Sequence, residues 1–187
     1  MDLVSAAKTY AQEEIAKFGT PLPVHFTLSE EKAIVLAQSL GADLEIVKVG
    51  VYLMDLKLGQ ALAEQRLAEH VEMSRTAAAE FLQSFDLPID REQKILNCVE
   101  AHHGQVPYLC PEAEICANAD CYRFLHPRGF FAYIPLLAGR GVTEEEILRQ
   151  LEYKIDEKKA ILSLPECRQE LLSYYKIYKK LIEAARS

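Results

Sequence analysis

Six residues of types that bind metal ions are spread over the first two thirds of the chain. They are His25, Asp55, His70, His102, His103 and Asp120. Each lies on or beside the apolar face of a stretch with helical periodicity. An imidazole or a carboxylate on a buried face is costly unless it is paired or bound to a cation. Imidazole nitrogens and carboxylate oxygens together suit divalent metal ions. The pattern therefore predicts a shared metal site.

The helices that would carry these residues are marked by caps. A first helix is expected over Leu3–Lys17, ending at Gly19. Thr27 followed by Glu30 is a capping-box pattern, which predicts that a second helix opens there. That helix would end at Gly41, because glycine adopts the left-handed conformation that closes many helices.

The third helix brings an aspartate to the interior. Asp43 can cap its start, and Val47, Val51 and Asp55 follow at helical spacing on one face. We expect Gly59 to close this helix. Asp55 and the residue before it then point inward.

The remaining candidates fall on later helices. His70 is expected near the end of a short helix, and Asp90 is expected to cap the helix that carries His102. Pro111 suits the first turn of the helix whose apolar side includes Asp120. Convincing strand alternation is absent, so we expect an all-α fold.

The last third differs because it offers no candidate ligands. Thr143 caps a long amphipathic helix, and a leucine and tyrosine stripe marks another. The boundary near Gly139–Gly141 divides the expected helical core, residues 1–140, from C-terminal helices, residues 141–187. These helices would support the core or make a subunit contact in a homo-oligomer.

The composition describes a soluble domain. The chain has 187 residues, half of them apolar, and a net charge of −7, which argues against binding to nucleic acid polymers. No apolar run is long enough to cross a membrane, and the start lacks the pattern of a signal peptide. Five irregularly spaced cysteines fit reduced thiols, so we expect a cytoplasmic protein without membrane contact.

The order and surroundings of these residues resemble the HD superfamily of metal-dependent phosphohydrolases. The resemblance covers roughly residues 20 to 130. Its motifs are Val24-His25-Phe26, Tyr52-Leu53-Met54-Asp55-Leu56 and Glu114-Ile115-Cys116-Ala117-Asn118-Ala119-Asp120. The resemblance implies an HD-like helical bundle with a C-terminal helical extension. The departure is Met54, which takes the place of the signature histidine.

The resemblance also implies roles for the residues. His25, Asp55 and Asp120 would hold one ion, and Asp55 could bridge to a second ion bound by His70 with His102 or His103. The ions would be Mn, Mg, Fe, Ni, Co or Zn, and they would lower the pKa of a bound water. The implied activity is hydrolysis of a small phosphorylated molecule by a phosphatase or phosphodiesterase, with a nucleotide as the first candidate substrate. A thioether binds hard ions poorly, so Met54 is not counted as a ligand and the metal site is degenerate.

Basic residues near this array are candidates for binding phosphate. Arg123 follows Asp120 by three positions and is the first choice, with Asp55, for a catalytic role; Lys57 and Arg75 are further candidates. Each of these residues could instead be a surface charge or an ion-pair partner. Any single histidine of the array could likewise be structural, and His70 could interact with the dipole of a helix end.

Two alternatives remain open. A zinc site could use His103, Cys110, Cys116 and Cys121, although their spacing lacks the tight knuckles of structural zinc sites. A chain without the signature histidine could also be a catalytically impaired nucleotide-binding or regulatory module.

Overall fold

The computed structural model of the protein describes residues 2–186. Its helices are α1 (Leu3–Phe18), α2 (Pro23–Leu40), α3 (Leu44–Leu53), α4 (Leu58–Ala63), α5 (His70–Leu82), α6 (Ile89–Ala101), α7 (Pro111–Leu125), α8 (Pro127–Ala138), α9 (Glu144–Ile161) and α10 (Pro165–Ala185). A 3₁₀ turn, Leu67–Glu69, leads into α5. No β-strand occurs within the described residues, so the expectation of an all-α fold is confirmed.

Helix α7 forms the centre of the molecule. Every one of its residues from Ile115 to Leu125 is buried. Helices α2, α3, α6 and α9 pack around it, and α8 and α10 complete the enclosure. A polar side chain on this stretch of α7 is largely shielded from water and needs partners within the protein.

Several helix ends agree with the expectation from sequence. Helix α1 ends at Gly19, whose φ of 70° is left-handed. The Asp43 carboxylate accepts hydrogen bonds from two amides in the first turn of α3. Pro111 begins α7, and the Thr143 hydroxyl caps α9.

Other boundaries were predicted wrongly. Helix α2 begins at Pro23, a full turn before the capping-box pattern at Thr27, because proline suits the first helical position. Helix α3 ends at Leu53, so Gly59 lies inside α4 and does not close α3. His70 begins α5 instead of ending a helix, which removes the interpretation that it interacts with a helix C-terminus. The helix that leads to His102 begins at Ile89, one residue before Asp90.

The C-terminal helices pack directly on the rest of the molecule. Helix α9 contacts α7 and α8, and α10 contacts α7 and α9. The proposed division at residue 140 stays a prediction, and its outer limits, Met1 and Ser187, lie outside the described residues. No helix within residues 2–186 combines the length and the hydropathy needed to cross a bilayer.

Candidate metal centre

Asp55 lies in the turn that joins α3 to α4. The helix ends one residue before Met54, and the Asp55 carbonyl then accepts a hydrogen bond from the Leu58 amide at 3.0 Å. The Lys57 amide donates to the buried Ser74 hydroxyl of α5 at 3.0 Å. The turn is therefore attached to α5, and the Asp55 side chain faces the helices that carry the histidines.

Three histidines meet Asp55 from two directions. His70 begins α5, while His102 and His103 directly follow the end of α6. One possible ligand atom from each of the four residues can be chosen so that all four lie within 4.8 Å of one another. Within the part of the chain that the structure describes, no other group of three or more histidine, cysteine, aspartate or glutamate residues is close enough to hold an ion.

The hydrogen bonds of the three rings determine which nitrogen is free. In each ring Nδ1 lies beside an oxygen that can only accept, which favours the tautomer with the proton on Nδ1. The pairs are His70 with the Leu67 carbonyl (2.7 Å), His102 with the Val99 carbonyl (2.7 Å) and His103 with the Glu157 carboxylate (2.9 Å). For His103, the Lys158 ammonium group also lies 3.4 Å from Nδ1. With the proton on Nδ1, the Nε2 atom of each ring presents a lone pair. An outer hydrogen bond of this kind is typical of histidines that bind metal ions.

These lone pairs converge on one another and on a carboxylate. The Nε2 atoms of His70 and His103 lie 3.1 Å apart. Oδ1 of Asp55 lies 3.7 Å from His70 Nε2 and 3.5 Å from His102 Nε2. The His102 Nε2 atom is buried and has no hydrogen-bond partner within normal geometry. Four acceptors without a donor between them fit a divalent cation, and the donor set of three nitrogens and one oxygen suits a transition metal.

Burial keeps the His70 and His103 rings in the neutral form that binds metal. It lowers the pKa of His103 to about 4, with the neighbouring His102 acting in the same direction. Burial also lowers the pKa of His70. Although burial alone would raise it, the charge of Arg123 holds the pKa of Asp55 well below its usual range. At neutral pH His70 and His103 are therefore neutral imidazoles beside the ionised Asp55 carboxylate.

Arg123 and Lys158 pair with the two buried carboxylates. Nη1 of Arg123 donates to Oδ2 of Asp55 and, at 2.7 Å, to Oδ1 of Asp120. Nζ of Lys158 lies 2.7 Å from the other oxygen of Asp120. All four side chains are buried. Two positive and two negative charges therefore balance in a region where an unpaired charge would be very costly.

His25 lies close to this network but outside the group of four. Its Nε2 donates to the Gly129 carbonyl at 2.9 Å, and its ring packs edge-on against Phe124. Burial lowers the pKa of His25 to about 4, so the ring is neutral. The structure thus brings Asp55, His70, His102 and His103 into one group and places His25 and Asp120 beside it. The ligand roles of all six residues stay predictions.

An open cleft of about 720 Å³ leads to these residues. His70, His103 and Asp55 line its floor. Its basic lining residues are Arg123, Arg140, Lys154 and Lys158, and its apolar ones are Leu22, Leu58, Leu62, Leu67, Phe124, Tyr133 and Leu136. The cleft can therefore receive a ligand that has an anionic and an apolar part.

Solved structures with the same architecture are known. A predicted HD superfamily hydrolase from an uncultured Thermotogales bacterium matches with a TM-score of 0.61 at 14% identity, over 95% of this chain and 88% of that one. A Lactobacillus plantarum protein matches with a TM-score of 0.74 at 15% identity, over 98% of this chain and 95% of that one. The chain has the HD superfamily fold. No protein-family model matches its sequence.

Sequence relatives of this HD-fold chain carry the name ribonuclease Y. The Finegoldia magna protein is 33% identical over 93 residues, which are 50% of this chain and 16% of that protein. The Fervidobacterium nodosum protein is 28% identical over 136 residues, 73% of this chain and 24% of that protein. The chain spans less than a quarter of the length of these relatives.

Other sequence candidates lie away from the HD-fold cleft. Lys57 pairs with Glu14 at 3.1 Å, and Arg75 pairs with Glu100 at 2.7 Å. Neither basic residue lines the cleft. The candidate thiols do not gather with His103 into a ligand group within residues 2–186, and all five cysteines are buried and free.

Sequence reasoning missed the contribution of α9. This helix supplies Glu157, which binds His103, and Lys158, which binds Asp120. A signal was present, because Lys158 continues the buried stripe of Leu151 and Ile155 at helical spacing. A lysine in an apolar stripe predicts a buried anionic partner.

Proposed function

We propose that the protein is a metal-dependent phosphohydrolase of the phosphatase or phosphodiesterase type. Its substrate would be a small phosphorylated molecule, and a nucleotide is the first candidate. The observation that carries this proposal is the group of Asp55, His70, His102 and His103, in which every inward-facing atom is an acceptor. With the ring protons on Nδ1, these acceptors lack a partner, which a cation would supply.

The four residues of this group would hold the ion. When bound, a divalent ion polarises phosphoryl oxygen and lowers the pKa of water. Mn, Mg, Fe, Ni, Co and Zn all remain possible ions, but a set with three imidazoles favours the transition metals over Mg²⁺. Glu157 supports the arrangement by accepting the Nδ1 proton of His103, which orients that ring.

Arg140 and Lys154 are the residues we propose for binding the phosphate. Both line the cleft, and Arg140 makes no ion pair within residues 2–186. Lys154 pairs with Glu157 at 2.8 Å, and its ammonium group lies 5.6 Å from the centre of the Phe124 ring. A phosphate beside these cations would leave the organic part of the substrate against the apolar wall.

The similarity to ribonuclease Y supports a phosphodiester as one substrate type. The net charge of −7 favours a small substrate over a nucleic acid polymer. The five unpaired cysteines support the expectation of a reducing, cytoplasmic setting.

A second candidate is a module that binds a nucleotide without cleaving it. The observation that favours it is the Arg123 guanidinium between Asp55 and Asp120, together with Met54 at the place of a signature ligand. Loss of a supporting group at a metal site costs about 10–100-fold in affinity or activity. A site altered in this way could retain binding and lose turnover.

A hydrolysis screen with metal analysis tests the proposal. Nucleoside monophosphates, a cyclic nucleotide, a dinucleotide and a short RNA would be incubated with Mn²⁺, Ni²⁺, Fe²⁺, Zn²⁺ or Mg²⁺, before and after chelation. We expect metal-dependent release of phosphate or nucleotide that is lost in His102→Gln. Arg140→Gln should raise KM about 10-fold or more, whereas Lys176→Gln on the exposed side of α10 should not.

Three outcomes are distinguishable. Turnover that survives in His102→Gln and in chelator would overturn the metal-dependent mechanism. Stabilisation by a nucleotide without turnover under any metal would favour the binding module. A protein that takes up no metal at all would overturn the assignment of the site.

A further inference from the structure

We propose that Arg123 is a built-in cation that takes the place of one metal ion, so that the centre holds a single ion. This inference rests on the proposed function, because it assumes that the histidine group binds metal. It divides the six candidate residues into two sets. Asp55, His70, His102 and His103 would hold the exchangeable ion. Asp120 is neutralised by side chains of this chain, and His25 binds a backbone carbonyl.

Asp55 shows this division most directly. Its Oδ2 accepts a hydrogen bond from Arg123, while its Oδ1 faces the Nε2 atoms of His70 and His102. A carboxylate that bridges two metal ions presents one oxygen to each in the same manner. Here a guanidinium occupies one of the two sides, and only the side that faces the imidazoles lacks a cation.

Each oxygen of Asp120 already has a cationic partner. Oδ1 accepts from Arg123 at 2.7 Å, and Oδ2 lies 2.7 Å from the Lys158 ammonium group. Asp120 and Arg123 are three residues apart on α7, which places them on the same helix face, and Lys158 reaches them from α9. Both cations are buried.

Of the two other residues that could have completed a second site, His25 has one ring nitrogen already engaged and Met54 offers no strong ligand. His25 uses Nε2 to donate to the Gly129 carbonyl at 2.9 Å. Met54 is 2% exposed and offers only a thioether, which is a poor ligand for hard divalent ions. Two features therefore both oppose binding of a second ion: Met54 supplies no nitrogen ligand, and the Arg123 guanidinium already neutralises the carboxylates.

An arginine differs from a metal ion in ways that can be measured. Its charge is permanent, because a guanidinium does not lose its proton in proteins, and no chelator can remove it. It can neutralise Asp55 and orient it toward the imidazoles, but it cannot activate a water as a metal ion does. We therefore expect one exchangeable ion per chain.

Metal stoichiometry is the first test. The full chain would be loaded with Mn²⁺ or Zn²⁺, desalted and measured by elemental analysis, beside Asp120→Asn and His102→Gln. We expect one ion in the wild type, one ion in Asp120→Asn and at least a 10-fold weaker affinity in His102→Gln. Asparagine keeps the size of Asp120 and one acceptor for Arg123, and circular dichroism would verify that this variant is folded.

Two results would overturn the inference while leaving metal-dependent hydrolysis intact. These are two ions per wild-type chain, or loss of the ion in folded Asp120→Asn. Absence of any ion from the wild type would overturn the proposed function and this inference with it.

Removing the guanidinium is the second test. Met54→His combined with Arg123→Ala should raise the stoichiometry to two ions, and Met54→His alone should leave it at one because Arg123 still fills the position. Met54→His with Arg75→Ala is the matched control, since Arg75 pairs with Glu100 outside the cleft. A folded double variant that stays at one ion counts against the inference. If that variant does not fold, the wild type and Asp120→Asn decide the question.

Discussion

His70 and His103 bring their Nε2 atoms to 3.1 Å of each other, although each ring donates its proton from Nδ1 to another acceptor. With the protons of both rings on Nδ1, two lone pairs face each other at this distance and repel, and the nearby Asp55 oxygen adds negative charge. A cation between these atoms would convert the repulsion into attraction. The hydrogen bonds around the group thus select the ring form that needs an ion.

Replacing His70 with alanine should therefore have opposite effects in the two states. Without metal, the free energy of unfolding should stay the same or rise, because a repulsive contact is removed. With metal, affinity should fall at least about 10-fold, as the loss of a ligand requires. Calorimetric titration with Zn²⁺ and urea denaturation in chelator would measure the two effects. His126→Ala, at the start of α8 and outside the group, should retain wild-type affinity.

Glu157 should raise the metal affinity of the centre through its hydrogen bond to His103. In Glu157→Gln the acceptor for the Nδ1 proton remains but its charge is lost, so we expect metal affinity to fall about 10-fold. Glu152→Gln is the control, because Glu152 lies on the same helix and pairs with Lys179 on the outer side. A competition titration with a metal chelator would compare them. Equal affinity in the two variants would mean that the negative charge of Glu157 contributes nothing to metal binding.

The sequence predicted the helical fold and the residues of the site better than it predicted their geometry. Residue type and order were sufficient to find Asp55, His70, His102 and His103, because polar groups in apolar stripes are rare. Which of these side chains share an ion depends on ring tautomers and on the turn after Leu53. The bonds of His70 to Leu67 and of His102 to Val99 are local, three residues apart, but the bond of His103 to Glu157 spans 54 residues and is not encoded by any local pattern.

The role of Arg123 shows the same limit. Its spacing from Asp120 predicted a shared helix face, and the 2.7 Å contact confirms that placement. That it also reaches Asp55, on a turn 68 residues earlier, depends on how α7 packs against α3. The sequence suggested a phosphate ligand, whereas the folded chain uses this guanidinium to neutralise two buried carboxylates.

Gly129 should be essential for the packing of α8 on α7. A Cβ at this position would collide with the backbone carbonyl of Arg123. Gly129→Ala must therefore shift α8, which also carries the carbonyl that His25 binds. We expect a loss of about 1–3 kcal/mol in the free energy of unfolding, as for overpacked cores.

Gly139→Ala is the matched control, since its nearest neighbour would be an oxygen at 3.3 Å. Urea denaturation of both variants would measure the difference, and equal stability would contradict the close approach.

Asp43 should give the protein a measurable acid dependence away from the metal centre. Burial acts to raise its pKa, but hydrogen bonds from Arg91 and from the Ile46 amide outweigh it and lower the pKa below the usual value. A carboxyl whose pKa is lower in the folded state stabilises the fold fully above its unfolded pKa of about 3.9 and loses that effect as the pH falls through the folded value.

Asp43→Asn keeps a cap for α3 but loses the charge, so it should cost about 0.2–1 kcal/mol at pH 7 and progressively less below pH 4. Urea denaturation from pH 7 to pH 3 would measure this. The same substitution in an Arg91→Gln background should show little of the pH-dependent difference, and an undiminished difference there would assign the effect to the cap instead of the ion pair.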